Sequence, residues 1–499
     1  MGGAVDHEVV VIGAGFAGIG AAIKLTRAGF SDFVVLDEAD GVGGTWHWNT
    51  YPGVAVDIPS FSYQFSFEKR SDWSRVYAPG RELKAYAEHC TEKYGVRGHF
   101  RLNTKVVGAT FDEDADAWRI DTAAGEHITA RFVIAATGVF SQPKLPDVPG
   151  VETFAGATLH TARWDHSVET AGKRVAVIGT GASAVQVIPA IAPEVEHLTV
   201  FQRTPIWCLP KLDAPLSGRL RAALRWVPGA MLAARWVSQA FVELTFVLVA
   251  HFARTFPFLA ARGEAEARKL LERVTDADVR EKLTPRYRLG CKRPSFSNQY
   301  IPTFNRDNVT LETSAIEAIT PTGLRTADGV DHPVDVLVLA TGYKVFDKGN
   351  IPPFPVHGLD GVELGEWWDE NRFQAYEGVS VPGFPNWFAI TGPYGFNGQS
   401  YFGLIETQMR HIVRCLSRAR DERATRVEIT PAANRRYFES VLARRENQVF
   451  FRGTCAGANS YYFDKHGDVP FRPSLTLEAA WRSARFDLDD YAFDATLAG

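Results

Sequence analysis

The sequence lacks closely spaced cysteines. Its 499 residues include five cysteines, Cys90, Cys208, Cys291, Cys415 and Cys455, and no two of them form a C-x-x-C pair. Without such a pair the chain offers neither the redox dithiol of a thioredoxin reductase nor the ligand spacing of a zinc site, so no metal is expected. Scattered cysteines fit a reducing compartment. The chain also runs into an apparent strand without a signal peptide, so we expect a cytoplasmic protein.

The sequence also carries little net charge. The formal net charge is -4 and the isoelectric point lies near 6.4. Neither value gives a reason to expect nucleic acid or an acidic partner. The chain is 45% hydrophobic and 22% charged, as ordinary globular proteins are. At 499 residues it is too long for one hydrophobic core, so two or three domains are expected.

No uncharged apolar run reaches the length of a membrane-spanning helix. The most apolar stretch, residues 236–253, is interrupted by Glu243 and His251, whereas a span needs about 18 uninterrupted residues. Arginines lie beside its apolar faces: Arg219, Arg221, Arg225 and Arg235. They leave peripheral membrane contact open. The sequence nevertheless favours core helices, or a lid over a substrate channel, over membrane contact.

A dinucleotide-binding pattern begins the chain. Residues 8–12 form an apolar strand, followed by a G-x-G-x-x-G turn at Gly13, Gly15 and Gly18, a helical segment and a second strand that Asp37 closes. Glycines let the backbone approach a pyrophosphate, whose negative charge the following helix N-terminus favours. An acidic residue at Asp37 would accept a hydrogen bond from a ribose hydroxyl. This order of elements predicts a bound dinucleotide.

A second pattern of the same kind starts at residue 174. Its turn contains Gly179 and Gly181, with Ala184 in place of the third glycine, as the pattern permits. The next strand ends without an acidic residue, and Arg203 stands nearby. A carboxylate would repel a 2′-phosphate, whereas an arginine can bind one. The second cofactor is therefore predicted to be NADPH rather than NADH.

A motif between the two glycine turns resembles a fingerprint of the type I Baeyer–Villiger monooxygenases. Phe154, Gly156, His160 and Trp164 match every fixed position of F-x-G-x-x-x-H-x-x-x-W-(P/D). Taken alone, the two aromatic residues would be core and the histidine an ordinary polar residue. The position of the motif between two dinucleotide patterns favours the functional interpretation.

A second motif resembles another signature of the same family. Residues 43–57 match (A/G)-G-x-W-x-x-x-x-(F/Y)-P-(G/M)-x-x-x-D without a mismatch. Further along, Lys292 and Arg293 belong to a Lys-Arg-Pro segment that also resembles the family, in which this segment carries the active-site arginine. The named motifs cover about residues 8–345, and the rest of the chain resembles the family only loosely.

The resemblance implies a flavoenzyme that uses FAD, NADPH and molecular oxygen. It would convert a hydrophobic ketone to an ester or lactone through a flavin peroxide. Arg293 is the expected catalytic cation, because a permanently charged guanidinium with several donors suits a developing anion. By resemblance, Asp57 would orient Arg293, Lys292 would help to hold the 2′-phosphate, and His160 would couple the two nucleotide domains in a conformational role.

The resemblance also assigns further cofactor contacts. For FAD, besides the first glycine turn and Asp37, these are Thr45, Trp46, Asp57, Tyr63 and Val106. For NADPH, besides Arg203 and Lys292, they are Thr180, Gly181, Ser183, Ala184, Gln186 and Thr204.

The predicted fold class is α/β, with two Rossmann-like dinucleotide-binding domains, one for FAD and one for NADP, and a helical insertion. The predicted FAD-binding domain comprises residues 1–145 and 381–499, the NADP-binding domain residues 146–211 and 285–380, and the insertion residues 212–284. A helix is predicted to open at Thr391 and to aim its positive end at the flavin. The aromatic segment from Asn459 is expected to pack near the pocket.

Three alternative functions share parts of this pattern. A flavin monooxygenase that oxidises nitrogen or sulfur would have both nucleotide domains, although the complete Phe154–Asp165 motif disfavours it. An NADPH oxidase would release hydrogen peroxide without a true substrate. A non-catalytic nucleotide sensor is disfavoured by the intact Lys292–Arg293 pair and Asp57. The sequence indicates neither the ketone nor the oligomeric state.

Overall fold

The computed structural model describes residues 5–346, 349–453, 455 and 457–494. The helices are α1 Phe16–Arg27, α2 Thr45–Trp48, α3 Gly80–Lys93, α4 Ala184–Ile191, α5 Gly218–Trp226, α6 Ala230–Val242, α7 Leu248–His251, α8 Pro257–Leu271, α9 Ala277–Lys282, α10 Tyr300–Thr303, α11 Leu364–Asn371, α12 Tyr401–Glu422, α13 Pro431–Leu442 and α14 Thr476–Arg485. The strands are β1 His7–Ile12, β2 Phe33–Leu36, β3 Phe100–Arg101, β4 Val106–Asp112, β5 Ala117–Thr122, β6 His127–Ala135, β7 Ala157–His160, β8 Arg174–Ile178, β9 His197–Phe201, β10 Cys208–Leu209, β11 Ser295–Phe296, β12 Val309–Glu312, β13 Ile316–Thr320, β14 Gly323–Thr326, β15 Asp331–Pro333, β16 Val336–Leu339, β17 Val356–His357, β18 Trp387–Ala389, β19 Arg426–Ile429 and β20 Tyr491–Asp494.

The first sheet gathers strands from the two ends of the chain. Among the described residues its order is β17-β4-β5-β6-β1-β2-β3, and β18 also pairs with β6. The pairs around β1 and β2 are parallel, while β4, β5 and β6 pair antiparallel. Strand β2 is buried throughout, because helices α1 and α12 pack together on one face and a second apolar cluster covers the other.

The second sheet is parallel throughout its described strands. Its order is β12-β9-β8-β16-β7. Its central strand β8 is almost entirely buried, with helix α4 in the core on one face. The two sheets confirm the predicted α/β fold with two Rossmann-like units. The strands also place both glycine turns at carboxyl ends of parallel strands, which is where such sheets bind nucleotides.

The helical insertion lies between strands β10 and β11. Helices α5 to α9 occupy residues 218–282, and a π-helical turn at Glu243–Val247 joins α6 to α7. These helices fall within the predicted range of residues 212–284. The chain rejoins the first sheet at β17, Val356–His357, which is earlier than the predicted start of the second FAD-binding part at residue 381.

The helix predicted to open at Thr391 begins ten residues later. Helix α12 starts at Tyr401. The backbone before it cannot be helical, because Thr391 and Tyr394 have φ angles of 77° and 56°. The Thr391 amide instead donates to the Gln408 side chain, 2.8 Å away.

One disulfide joins distant parts of the chain. Cys291 and Cys455 are bonded, with a Cα–Cα distance of 5.2 Å and 164 residues between them in sequence. Cys90, Cys208 and Cys415 are free and buried. This pair was not predicted, because its members are far apart in the chain and no local spacing indicates that they pair.

Candidate active site

A large cavity is lined by residues of both nucleotide units. Its volume is about 2070 Å³, and both glycine turns, through Gly13 and Gly179, contribute to its wall. Arg293, Lys292 and the segment from Asn459 to Tyr462 also line it. The cavity therefore brings together most of the residues that the sequence analysis selected, including the aromatic segment near the C-terminus.

The first glycine turn is shaped to leave room for a ligand. Gly13 has a φ of 114°, and a Cβ on it would lie 2.5 Å from the carbonyl oxygen of Ala136. A Cβ on Gly18 would lie 1.8 Å from the carbonyl oxygen of Gly13, so this glycine permits close packing of α1 on the turn. Gly15 precedes α1, whose N-terminus has no side-chain cap. Its unpaired amides are therefore available to an anion.

Asp37 lies in the cavity wall at the end of β2, as predicted. Its carboxylate accepts hydrogen bonds from the amides of Ala14, at 2.5 Å, and Ala39, at 2.8 Å. Burial raises the pKa of Asp37 above its ordinary value, and these two amides oppose the shift. The carboxylate thus lies beside the glycine turn, where the ribose of a dinucleotide on that turn would be.

The second glycine turn has the same features. Gly179 has a φ of 112°, and a Cβ there would lie 2.5 Å from the carbonyl oxygen of Ala340. A Cβ on Gly181 would meet nothing within 4 Å, so this position opens into free space. Helix α4 begins after Ser183 without a side-chain cap. This arrangement fits a second dinucleotide.

Two cations lie together beside this second turn. Arg203 and Lys292 both line the cavity. Burial, with a further contribution from the charge of Arg203, lowers the pKa of Lys292 to about 8. Within the described ranges no hydrogen-bond or ion-pair partner of the Lys292 ammonium is found. Two neighbouring cations, one of them half-buried, form a site for an anion such as a 2′-phosphate.

Asp57 and Arg293 form an ion pair in the cavity. The distance from Arg293 Nη2 to Asp57 Oδ2 is 3.3 Å. Burial opposes the charge of Arg293, but the Asp57 carboxylate, with Tyr461, Tyr462 and Tyr63, raises its pKa above the ordinary value. The guanidinium is therefore permanently charged and still faces the cavity.

Gln186 holds Asp57 from the side of the second nucleotide unit. Its amide nitrogen donates to Asp57 Oδ1 at 3.2 Å and to the carbonyl oxygen of Ala55 at 2.9 Å. Its amide oxygen accepts from the hydroxyl of Tyr51 at 2.9 Å. Since Gln186 belongs to α4, these bonds connect the loop that carries Asp57 to the second glycine turn.

His160 lies outside the cavity, at a junction between the units. Its Nδ1 accepts from the Ala162 amide at 3.0 Å, so Nε2 carries the proton and donates to the carbonyl oxygen of Lys144 at 3.3 Å. Thr341 Oγ1 is 3.3 Å from the same Nε2. Burial lowers the pKa of His160, which keeps the ring neutral. It thus joins the end of β7 to the linker between the two units.

The other fingerprint residues, Phe154, Gly156 and Trp164, pack against the hydrophobic cores of the second unit. A Cβ on Gly156 would lie 2.6 Å from Cζ of Phe154, so the ring covers the glycine. Phe154 packs on the apolar cluster beneath the second sheet. Trp164 is 9% exposed and belongs to the core around α4. None of these three residues contributes to the described wall of the cavity.

The remaining predicted cofactor residues divide into two groups. Those that line the cavity are Thr45, Trp46, Asp57, Tyr63, Val106, Thr180, Gly181, Ser183, Gln186, Arg203, Thr204 and Lys292. Gly18 and Ala184 do not line it but lie under the glycine turns, where each allows its helix to pack closely. Within the described ranges no cluster of three potential metal ligands is present.

An aromatic wall adjoins Arg293, and sequence reasoning did not identify most of it. Its rings belong to Phe246, Phe396, Phe450, Tyr461, Tyr462 and Phe471. They come from the insertion, from the loop before α12 and from the C-terminal segment, so no local pattern connects them. Asn459 belongs to the same segment, and its amide donates to Thr204 Oγ1 at 2.8 Å. The disulfide through Cys291 ties this segment to Lys292 and Arg293.

Comparison with known proteins agrees with this geometry. Residues 10–221 match the family model of the pyridine nucleotide-disulphide oxidoreductases. A Baeyer–Villiger monooxygenase of Streptomyces coelicolor is 38% identical over 97% of this chain and 93% of its own length. The structure of OTEMO in complex with FAD and NADP superposes with a TM-score of 0.87 at 30% identity, over 98% of this chain and 100% of that one. A closed structure of cyclohexanone monooxygenase gives a TM-score of 0.87 at 31% identity, over 98% and 99%.

Proposed function

The chain belongs to the Baeyer–Villiger monooxygenases, and from that membership we propose that it converts a hydrophobic ketone to an ester or lactone with FAD, NADPH and molecular oxygen. The observation that carries this proposal is the Asp57–Arg293 ion pair in a cavity that both glycine turns line. The proposed reaction needs two bound dinucleotides and a fixed cation close together. The two glycine turns and the ion pair offer a place for each of them in one cavity.

The first nucleotide unit fits FAD. The uncapped N-terminus of α1 and the space at Gly15 receive the pyrophosphate, and Asp37 binds the ribose. Trp46 donates from Nε1 to the hydroxyl of Tyr63 at 3.2 Å, which fixes two aromatic side chains in the same wall. When bound, FAD would accept hydride from NADPH and react with molecular oxygen, one atom of which would enter the product.

The second nucleotide unit fits NADPH. Arg203 and Lys292 converge on one anion site beside the second glycine turn. NADH has no phosphate there, so it would leave the two cations facing each other without compensation. The family model also covers enzymes named for a disulphide, but Cys90 and Cys208, the cysteines in the matched range, are free and buried.

Arg293 stabilises negative charge during oxygen insertion. The carbonyl oxygen of the ketone becomes an anion when a nucleophile adds to its carbon, and a permanently charged donor lowers the energy of that anion. Asp57 holds the guanidinium in place, and Gln186 holds Asp57. The aromatic wall binds the apolar part of the ketone and excludes water, which strengthens this electrostatic contribution.

His160 is proposed to transmit movement between the two units rather than protons. Its neutral ring joins β7 to Lys144 of the linker and to Thr341 at the end of β16. We also propose domain limits that differ from the predicted ones, with the FAD-binding domain resuming before β17 at Val356.

The test is to incubate the purified enzyme with NADPH, oxygen and a panel of linear, cyclic, aryl and steroid ketones. NADPH consumption and mass spectrometry of the products are measured together. An ester or lactone that is 16 mass units heavier than the ketone, about one oxygen atom, supports the proposal. A sulfoxide from a thioether without any ester would favour the nitrogen- or sulfur-oxidising monooxygenase, and hydrogen peroxide equal to the NADPH consumed with every ketone would favour the NADPH oxidase.

A further inference from the structure

The insertion exposes an apolar face on helix α6. The face consists of the exposed side chains on one side of the helix: Leu232, Ala233, Trp236, Val237, Ala240 and Leu244. Trp236 and Val237 are 59% and 71% exposed. The spacing of three and four residues makes this a continuous stripe, and it contains no charge. A helix on the surface of a soluble protein normally presents its polar side to water, whereas α6 presents its apolar side.

Helix α6 and its continuation are less buried than an ordinary core helix. Residues Ala230–His251 are long and apolar enough by length and composition to cross a membrane, yet only 22% of their most apolar window is buried. A core helix of similar composition would be mostly buried. The apolar residues of α6 are therefore more exposed than those of a core helix of similar composition.

The polar residues that interrupt this stretch point into the protein. Arg235 donates to the carbonyl oxygen of Gln64 at 2.9 Å. Glu243 accepts from the backbone amide and the hydroxyl of Thr476. His251 is 1% exposed and contacts the carbonyl oxygen of Asn397. In the sequence, Glu243 and His251 argue against a membrane-spanning helix, and in the structure neither lies on the exposed apolar face.

The charged residues of α5, of α6 and of the segment between them are all arginines. Residues 214–242 contain Arg219, Arg221, Arg225 and Arg235 and no acidic side chain, although the whole chain has a net charge of -4. Arg219, Arg221 and Arg225 are exposed. The guanidinium of Arg225 lies over the ring of Trp226, which is 72% exposed.

Helix α14 extends the same surface. The bonds between Thr476 and Glu243 attach its start to the end of α6. Leu477 and Trp481, one turn apart, are 69% and 58% exposed, and the guanidinium of Arg485 lies over the Trp481 ring. The tryptophan and arginine pattern on α5 is thus repeated on α14.

We propose that this surface binds the interface of an anionic lipid membrane, with α6 lying along the headgroup region. Tryptophan prefers that interface, and arginine attracts its anionic headgroups. The helix does not cross the bilayer, because Phe246, Val249 and Ala250 on its continuation line the cavity. A second copy of the chain fits less well, since residues 214–242 offer no carboxylate to pair with the arginines.

The test is flotation of the purified full-length protein with vesicles. Vesicles of phosphatidylcholine with phosphatidylglycerol are compared with vesicles of phosphatidylcholine alone, at low and high salt. The wild type is expected to float with the anionic vesicles, less so at high salt. The double variant Trp236→Gln and Val237→Gln should lower the partition coefficient by at least roughly tenfold. The double variant Val330→Gln and Val362→Gln, at exposed sites elsewhere, serves as the matched control.

A second set of variants tests the charge. Replacing Arg219, Arg221 and Arg225 by Gln should weaken binding to anionic vesicles by roughly fivefold for each arginine. The control replaces three exposed arginines elsewhere, Arg81, Arg97 and Arg435. Thermal unfolding and NADPH oxidation should be unchanged in all four variants, so vesicle binding is measured separately from the proposed enzymatic function.

Three results would overturn the proposal. The first is a wild type that does not float with anionic vesicles at low salt. The second is unchanged flotation of the Trp236→Gln and Val237→Gln variant. The third is a wild-type dimer in light scattering that this variant converts to a monomer without any vesicle binding, which would assign the face to a second copy of the chain.

Discussion

Asp57 and Arg293 are 236 residues apart in the chain, and their side chains meet at 3.3 Å in the cavity between the two nucleotide units. Asp57 is the last residue of the second sequence signature, while Arg293 follows the helical insertion. Neither signature contains the other residue. The ion pair therefore requires that the first nucleotide unit and the segment after the insertion are packed together as the structure shows.

Replacing Arg293 by Ala should abolish ester formation while NADPH still reduces the flavin. The guanidinium is needed when negative charge develops after oxygen has reacted, and removing one such donor costs about 2.7–4 kcal/mol, or roughly a hundred- to a thousandfold in rate. Lysine should not restore the rate, since it lacks the planar fork. Stopped-flow absorbance separates the two half-reactions.

The controls for this prediction lie in the same chain. Asp57→Ala should impair ester formation less than Arg293→Ala, because it displaces the guanidinium without deleting it. Arg306→Ala, at an exposed arginine that does not line the described cavity, should behave as wild type. Ester formation by Arg293→Ala at a near wild-type rate would refute the proposed role.

The enzyme should prefer NADPH to NADH by at least roughly tenfold in kcat/KM, since one charge-assisted contact contributes about 1.5 kcal/mol or more. Arg203→Ala should reduce that ratio, and the exposed Arg97→Ala should not. Steady-state kinetics with both cofactors provides the measurement. Equal efficiency with NADPH and NADH in the wild type contradicts the assignment of the anion site.

The affinity for NADPH should fall above pH 8. Burial lowers the pKa of Lys292 to about 8, so its ammonium is charged below that pH and neutral above it. Above pH 8, Lys292 must take up a proton before it can pair with the bound phosphate. KM for NADPH should therefore rise by up to about tenfold per pH unit. KM for NADH should not follow this profile, and Lys292→Met should remove it. A pH-independent KM in the wild type would disprove the role of Lys292.

Two glycines of the first turn should respond differently to alanine. A Cβ on Gly15 finds its nearest atom at 3.6 Å, and Gly15 has a φ of -71°, so Gly15→Ala should keep the fold but reduce FAD occupancy. A Cβ on Gly18 would lie 1.8 Å from the Gly13 carbonyl oxygen, so Gly18→Ala should cost on the order of 3 kcal/mol in stability. The flavin absorbance and the thermal midpoint are measured together. Full FAD occupancy in Gly15→Ala would contradict the placement of the pyrophosphate.

Alkylation of the cysteines tests whether the disulfide is present. Denatured protein should alkylate at three cysteines before reduction and at five afterwards, since Cys291 and Cys455 are bonded. Cys455→Ser should lower the free energy of unfolding by about 2–5 kcal/mol. Cys415→Ser cannot be the control because Cys415 is buried in the core, so the reduced wild type is used instead. Five reactive cysteines without reduction would exclude the bond.

The two nucleotide-binding patterns can be recognised in the sequence, because each consists of contiguous residues. An apolar strand, a glycine turn and a helix are set by local backbone preferences, and Gly13, Gly18 and Gly179 occupy the predicted close contacts. The family fingerprints are also contiguous, which is why Asp57, His160 and Arg293 were selected before their partners were known.

Contacts between these residues depend on how distant segments of the chain pack together. The Asp57–Arg293 and Cys291–Cys455 pairs join segments that are far apart in the chain, and no local pattern encodes such a contact. Helix α12 begins at Tyr401 because the positive φ angles before it follow from contacts with other segments. Likewise, Glu243 interrupts the apolar run in the sequence, but in the structure it accepts hydrogen bonds from Thr476 while the apolar face of α6 is exposed. The direction of a side chain depends on the residues that it contacts in distant segments of the chain. Composition and periodicity carry no information about those contacts.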